Sequence, residues 1–77
     1  MKTYISINLF ATLSKYTPSS ADKYPIEPGT TVQNLLQELG VPETDAKLIF
    51  INGIKSNLTS PLQGGERVGI FPPIGGG

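Results

Sequence analysis

The residues with the most chemical scope are the last ones. Phe71, Pro72, Pro73, Ile74, Gly75, Gly76 and Gly77 close the 77-residue sequence. Two prolines end any strand ladder and stiffen the exit as an extended segment. Three glycines then remove every Cβ, which makes a thin end that can approach another protein's backbone closely. Fully extended, the segment from Pro72 reaches about 18–20 Å. That is enough to carry a terminal carboxylate off a small domain and into a partner's active site. Terminal glycines can also be an inert chain end or a cloning scar. A scar has no reason to follow a strand and a double proline, so residues 67–77 read as one unit.

The composition removes most alternatives. There is no Cys, hence no disulfide, no thiol nucleophile and no thiolate metal site. There is no His, hence no Ser-His or Cys-His pair and no imidazole ligand for zinc. We expect no metal site. Six basic residues balance six acidic ones, so the chain lacks the basic footprint of a nucleic-acid binder. The longest apolar run, Leu48 to Ile51, is far short of the roughly 20 residues that span a bilayer. Ser6 and Asn8 spoil any signal peptide near the start. The expectation is a soluble, cytoplasmic protein without a membrane partner.

The elements that must carry the tail follow from periodicity. Ile5, Ile7 and Leu9 alternate with Ser6 and Asn8, which marks a half-buried strand over Thr3 to Leu9. A polar turn over Lys15 to Ala21 leads to a second strand, Asp22 to Ile26, in which Pro25 implies an edge position. Val32, Leu35, Leu36 and Leu39 fall on one face of a helix. Thr31 is its expected N-cap, with Thr30 and Gln33 as a competing capping box. Gly40 and Pro42 end it. Leu48 to Ile51 reads as a buried strand, Asn52-Gly53 as a hairpin turn and Ile54-Lys55 as the return. Asn57 to Leu62 reads as irregular, and Gly64-Gly65 as a tight turn. Arg67 to Phe71 is the last strand, with Val68 and Ile70 alternating against Arg67 and Gly69. Strand, strand, helix, strand, short strand, strand is the order of an α+β β-grasp (ubiquitin-like) fold: a mixed sheet with one main helix packed on one face. A single domain over residues 1–77 is expected, with 72–77 as a flexible tail.

The run Gly65-Glu66-Arg67-Val68-Gly69-Ile70-Phe71-Pro72-Pro73-Ile74-Gly75-Gly76-Gly77 resembles the C-terminus of the MoaD/ThiS sulfur carriers. The resemblance extends to Phe10-Ala11-Thr12-Leu13 after the first strand, to Thr31, Val32, Leu35, Leu36, Leu39 and Gly40 in the helix, to Ile51-Asn52, and to Pro61-Leu62 as a turn before the last strand. The double proline is more similar to the molybdopterin synthase small subunit (MoaD) than to the thiazole-pathway carrier (ThiS). The resemblance implies a non-catalytic carrier with no bound cofactor. An E1-like adenylating enzyme of the MoeB/ThiF type would spend ATP on the Gly77 carboxylate. A sulfur donor protein would then convert it to a thiocarboxylate. That sulfur would pass to a pterin precursor on the MoaE-type large subunit of molybdopterin synthase. Gly75 and Gly76 would form the threading tail, and Phe10, Phe71, Pro72, Pro73 and Ile74 the partner-binding surface. The departures are Ser14-Lys15, where the family often has an Arg-Glu pair, and the third glycine, Gly75.

The phase of the pattern supports two of these assignments independently. Phe10 is out of step with Ile5, Ile7 and Leu9, and Phe71 with Val68 and Ile70, so both turn to the face opposite the core. Ile54 and Leu58 either extend that patch or belong to the core. Glu38, Glu43, Asp45, Lys15 and Lys23 read as solvated side chains, and so does Arg67, whose alternative is pairing with an acidic partner or near Glu66. Two other functions remain compatible with the sequence: a ThiS-type carrier or other metabolic sulfur donor, and a ubiquitin-like modifier joined to lysines through Gly77. A third possibility is a plain binding module with an inert tail.

Overall fold

Ile5, Ile7 and Leu9 point inward from strand β1, Thr3–Leu9, and each is almost fully buried. The structure is a computed structural model that describes residues 2–73. Its later strands are β2 (Tyr24–Ile26), β3 (Thr30–Thr31), β4 (Leu48–Ile51), β5 (Ile54–Ser56), β6 (Pro61–Leu62) and β7 (Arg67–Phe71). Five of the strands form one sheet in the order β2-β1-β7-β4-β5. β7 runs parallel to β1, with Ile7 beside Val68 and Leu9 beside Ile70. Every other pair in that sheet is antiparallel. β2 lies at the edge and contains Pro25, as the missing N–H of proline requires.

Helix α1, Val32–Leu39, packs one face of this sheet. Val32, Leu35 and Leu36 are fully enclosed, together with Leu13, Leu62, Val68 and Ile70. Burying a side chain of this kind contributes roughly 1.5–3 kcal/mol, so a helix of eight residues holds by packing rather than by its own propensity. Thr31 is the N-cap. Its Oγ1 accepts the Asn34 N–H at 3.2 Å, while Asn34 Oδ1 accepts the Thr31 N–H at 3.4 Å. The capping box therefore uses Asn34, and the Thr30-Gln33 alternative is not formed. Thr30 Oγ1 instead donates to the Glu27 carbonyl, and Gln33 Nε2 donates to Glu43. Gly40 closes the helix with φ +81°, and the Val41 N–H returns to the Leu36 carbonyl at 2.9 Å.

The structure corrects three local readings and adds one 3₁₀ turn. The second strand starts at Tyr24, because Ala21–Lys23 forms a 3₁₀ turn. Ala11–Tyr16 is also 3₁₀ and buries Leu13. In β4 only Ile49 is buried, because α1 covers one face of the sheet and the other is open. Pro61–Leu62 is a short strand paired with Thr30–Thr31, not an irregular turn. The neighbouring carbonyls of Ser60 and Leu58 accept the Val32 and Gln33 N–H groups at 3.1 and 2.9 Å. Those are two of the donors that the start of a helix leaves unpaired.

One side-chain bond fastens β2 to α1. The Tyr24 hydroxyl donates to Glu38 Oε1 at 3.0 Å. Burial, and then this bond to a carboxylate, raise the Tyr24 pKa above the usual 10.0. A raised native value means that the unfolded chain ionises first. The contribution is intact below pH 10 and is lost as the pH climbs toward the native value. Tyr24→Phe is therefore expected to flatten the alkaline fall in stability above pH 10 relative to wild type, read by urea melts across that range. An unchanged alkaline slope would count against it.

Candidate docking face and carrier end

The site is the helix-free face of the sheet at the end where β7 leaves it. Phe10 follows β1 in an extended conformation, φ −100° and ψ 154°, so the strand's alternation carries its ring to the open face. Its N–H donates to the Ile70 carbonyl at 3.1 Å, which fixes it beside β7. The chain then turns away at Ala11, whose φ of +54° is costly for a residue with a Cβ. Phe71 emerges next to it. The two rings stack with centroids 4.2 Å apart and planes 2° from parallel. Phe50 of β4 meets Phe71 edge-on, at 5.7 Å and 87°. Such aromatic pairs contribute about 0.5–1.5 kcal/mol beyond their burial.

Gly69 makes room for this arrangement. It sits between Asn8 of β1 and Phe50 of β4 on the same face. A Cβ there would touch Phe10 Cε2 at 3.4 Å, an ordinary contact, so only atoms beyond a Cβ would push the ring outward. The bare backbone leaves a shallow groove of about 430 Å³ lined by Asn8, Phe10, Phe50, Arg67, Gly69 and Phe71. Phe10 remains 40% exposed although it stacks on a neighbour, so the face presents apolar surface to solvent.

β7 is held up to this point and no further. Leu48 pairs with Phe71, and the Lys47 N–H donates to the Phe71 carbonyl at 2.9 Å. Pro72 follows half-buried and Pro73 exposed. Of the residues expected at the site, Phe10 and Phe71 are brought into contact, and Pro72 and Pro73 continue from them. Ile74, Gly75, Gly76 and Gly77 lie outside the described residues. Leu58 packs against the core, and Ile54 pairs with Ile51 and so belongs to the helix side of the sheet. Neither extends the aromatic patch. Phe50, Gly69 and Asn8 were not anticipated. Among the described residues no cluster of three acidic side chains could hold a metal ion. No helix among them is long and apolar enough to cross a membrane.

Over residues 2–75 the chain matches the family described as Mut7-C ubiquitin. The protein belongs to the Mut7-C ubiquitin family. Solved structures share its fold. The Haloferax volcanii protein HVO 2177 superposes with a TM-score of 0.76 at 19% identity, covering 99% of this chain and 88% of that one. Small archaeal modifier protein 1 of the same organism gives 0.69 at 19% identity, covering 94% and 99%. A Pyrococcus furiosus protein assigned as molybdopterin converting factor, subunit 1, gives 0.63 at 25% identity, covering 94% and 99%. No curated protein matches the chain. The β-grasp fold and the resemblance to MoaD/ThiS carriers agree with this family and these neighbours. Its match ends at residue 75, which leaves Gly76 and Gly77 beyond it.

Proposed function

We propose that this Mut7-C ubiquitin protein is a sulfur carrier of the MoaD type, working in the cytoplasm as the non-catalytic small subunit of a molybdopterin synthase. One observation carries the reading. Phe71 lies on β7, the strand that leads to the glycine end, and stacks on Phe10 in the exposed aromatic face, so a partner that grips the two rings holds the start of the tail. The Gly77 carboxylate attacks the α-phosphate of ATP on an E1-like enzyme and pyrophosphate leaves. The terminal sulfur of a donor persulfide displaces AMP, and a second thiol cleaves the resulting S–S bond to release the thiocarboxylate. Its sulfur then attacks the pterin precursor on the large subunit, and water cleaves the acyl–sulfur bond, leaving sulfur on the pterin and restoring the Gly77 carboxylate. The chain supplies no acid or base to these steps, consistent with its lack of Cys and His. The likeness to the Pyrococcus protein supports the molybdopterin branch over the thiazole branch.

The likeness to small archaeal modifier protein 1 favours a second reading, in which the activated Gly77 is joined to protein lysines. Both readings share the adenylate and differ in what attacks it. The test incubates the full chain with an E1-like adenylating enzyme, ATP and a sulfur source, and reads the intact mass. Exchange of one oxygen for sulfur supports the carrier. Lysine-linked conjugates in extract support the modifier. No change with several such enzymes, or a native chain that continues past Gly77 and is never trimmed there, would overturn both.

A further inference from the structure

The groove face carries charge that the described residues do not pair. Arg67 lines the groove, and Lys55 lies directly across from Phe50 and so projects from the same face. Among the described residues neither side chain has a hydrogen-bond or ion-pair partner. The Arg67 backbone is tied to Asn52, but its guanidinium is not. The acids, in contrast, are largely occupied within the molecule. Glu38 accepts from Tyr24, Glu43 from Gln33, and Glu66 from two backbone N–H groups, while Glu27 lies beside Lys2. No acidic side chain among the described residues lines the groove. Asp22 and Glu66 border a separate, smaller hollow with Tyr4 and Ser6. A chain of zero net charge therefore presents an apolar slot flanked by two free cations.

We infer that this groove docks an acidic segment of a partner protein that carries an apolar anchor residue. The anchor enters over Gly69, where the missing Cβ leaves open backbone between Phe10 and Phe50. Its carboxylates meet Arg67, whose planar fork suits a carboxylate, and Lys55. The aromatic rings supply most of the affinity and the cations choose the partner. A second copy of this chain fits poorly, because face-to-face packing would bring the same unpaired cations together. The inference does not depend on the tail chemistry, since the groove can select an acidic segment whatever happens at Gly77.

The test uses the full ¹⁵N-labelled chain and three synthetic peptides with one central Leu-Phe anchor. One is flanked by Asp and Glu, one by Asn and Gln, one by Lys. With the acidic peptide, amide shifts are expected to cluster at Phe10, Phe50, Arg67, Gly69 and Phe71. The neutral peptide is expected to bind about tenfold more weakly and the basic one more weakly still. Raising the salt should narrow the difference. The double variant Lys55→Glu, Arg67→Glu should reverse the order while its spectrum keeps the dispersion of a folded protein. Equal binding of the three peptides, no binding, shifts away from the groove, or a sedimentation-detected dimer through this face would each overturn the proposal. If peptide selection holds and the sulfur-exchange assay fails, the readings of the tail fall and the docking proposal stands.

Discussion

Deleting Gly77 is expected to abolish the oxygen-for-sulfur exchange and to leave the thermal midpoint unchanged. The stability half of this result follows from where the fold ends. Val68 and Ile70 are fully enclosed, and the last ladder contact is Phe71 with Leu48. The core and the ladder of the described residues are complete by Phe71. The activity half is a matter of reach. The shortened chain still ends in Gly75-Gly76 and still bears a carboxylate, so its chemistry is the same in kind. It is shorter by about 3.3 Å. On the proposed docking by the aromatic face, the carboxylate would stop short of the adenylating site, and a displacement of even 1 Å can cost about a hundredfold in rate. The variant therefore separates two ideas. If the terminal Gly-Gly were sufficient, the exchange would survive. If the distance from Phe71 to the carboxylate matters, intact-mass measurement shows no product on the wild-type timescale. A rate within a few-fold of wild type, with unchanged folding by circular dichroism, contradicts the fixed-anchor mechanism.

That anchor was partly legible in the sequence. The alternation in β1 and β7 placed Phe10 and Phe71 on the open face, because a strand allows only two directions for a side chain. Their stacking was not legible, since it depends on the parallel register that brings Leu9 beside Ile70. Phe50 was hidden by its neighbours. Leu48-Ile49-Phe50-Ile51 is apolar throughout and reads as a strand buried on both sides. Only the single layer of helix on the sheet makes Phe50 an open-face residue. Gly69 looked like one more position in the alternation, and its value lies in a ring contributed by another strand. The helix was read well because four apolar residues and a cap repeat its period. β3 and β6 escaped because two residues have no period. They were nevertheless required in physical terms, since the first helical N–H groups needed acceptors and found them beside β6. The family resemblance added the tail's chemistry, which no spacing in the chain could supply.

Gly64→Ala is expected to be among the most destabilising single changes in the globule, costing about 3 kcal/mol. The turn before β7 is built without tolerance. Gly64 and Gly65 both take positive φ, +127° and +87°. The Glu66 carboxylate folds back to accept the Gln63 and Gly64 N–H groups at 2.9 and 2.7 Å. The Gly65 N–H donates to the Tyr4 carbonyl at 2.7 Å, and the Ser6 N–H to the Glu66 carbonyl at 3.0 Å, so the turn is stitched to β1. A Cβ on Gly64 would overlap the Thr3 side chain. Rotating Thr3 does not relieve this, because its own Cβ would lie 2.8 Å from the added atom and moves only with the β1 backbone, which is paired to β2. Backbone strain contributes roughly 1–3 kcal/mol and overpacking roughly 1–3 kcal/mol. For a domain whose whole stability is on the order of 4–11 kcal/mol, that is a large share. Gly65→Ala is the matched control, because a Cβ there meets nothing within 4 Å and only the strain remains. Urea melts of both variants separate the two costs. Combining Gly64→Ala with Thr3→Gly should recover the overlap term and leave the strain, as a positive coupling in the double-mutant cycle. Equal losses for the two alanine variants, with no coupling to Thr3, would mean that the turn gives way without resistance and that β7 is positioned by its ladder alone.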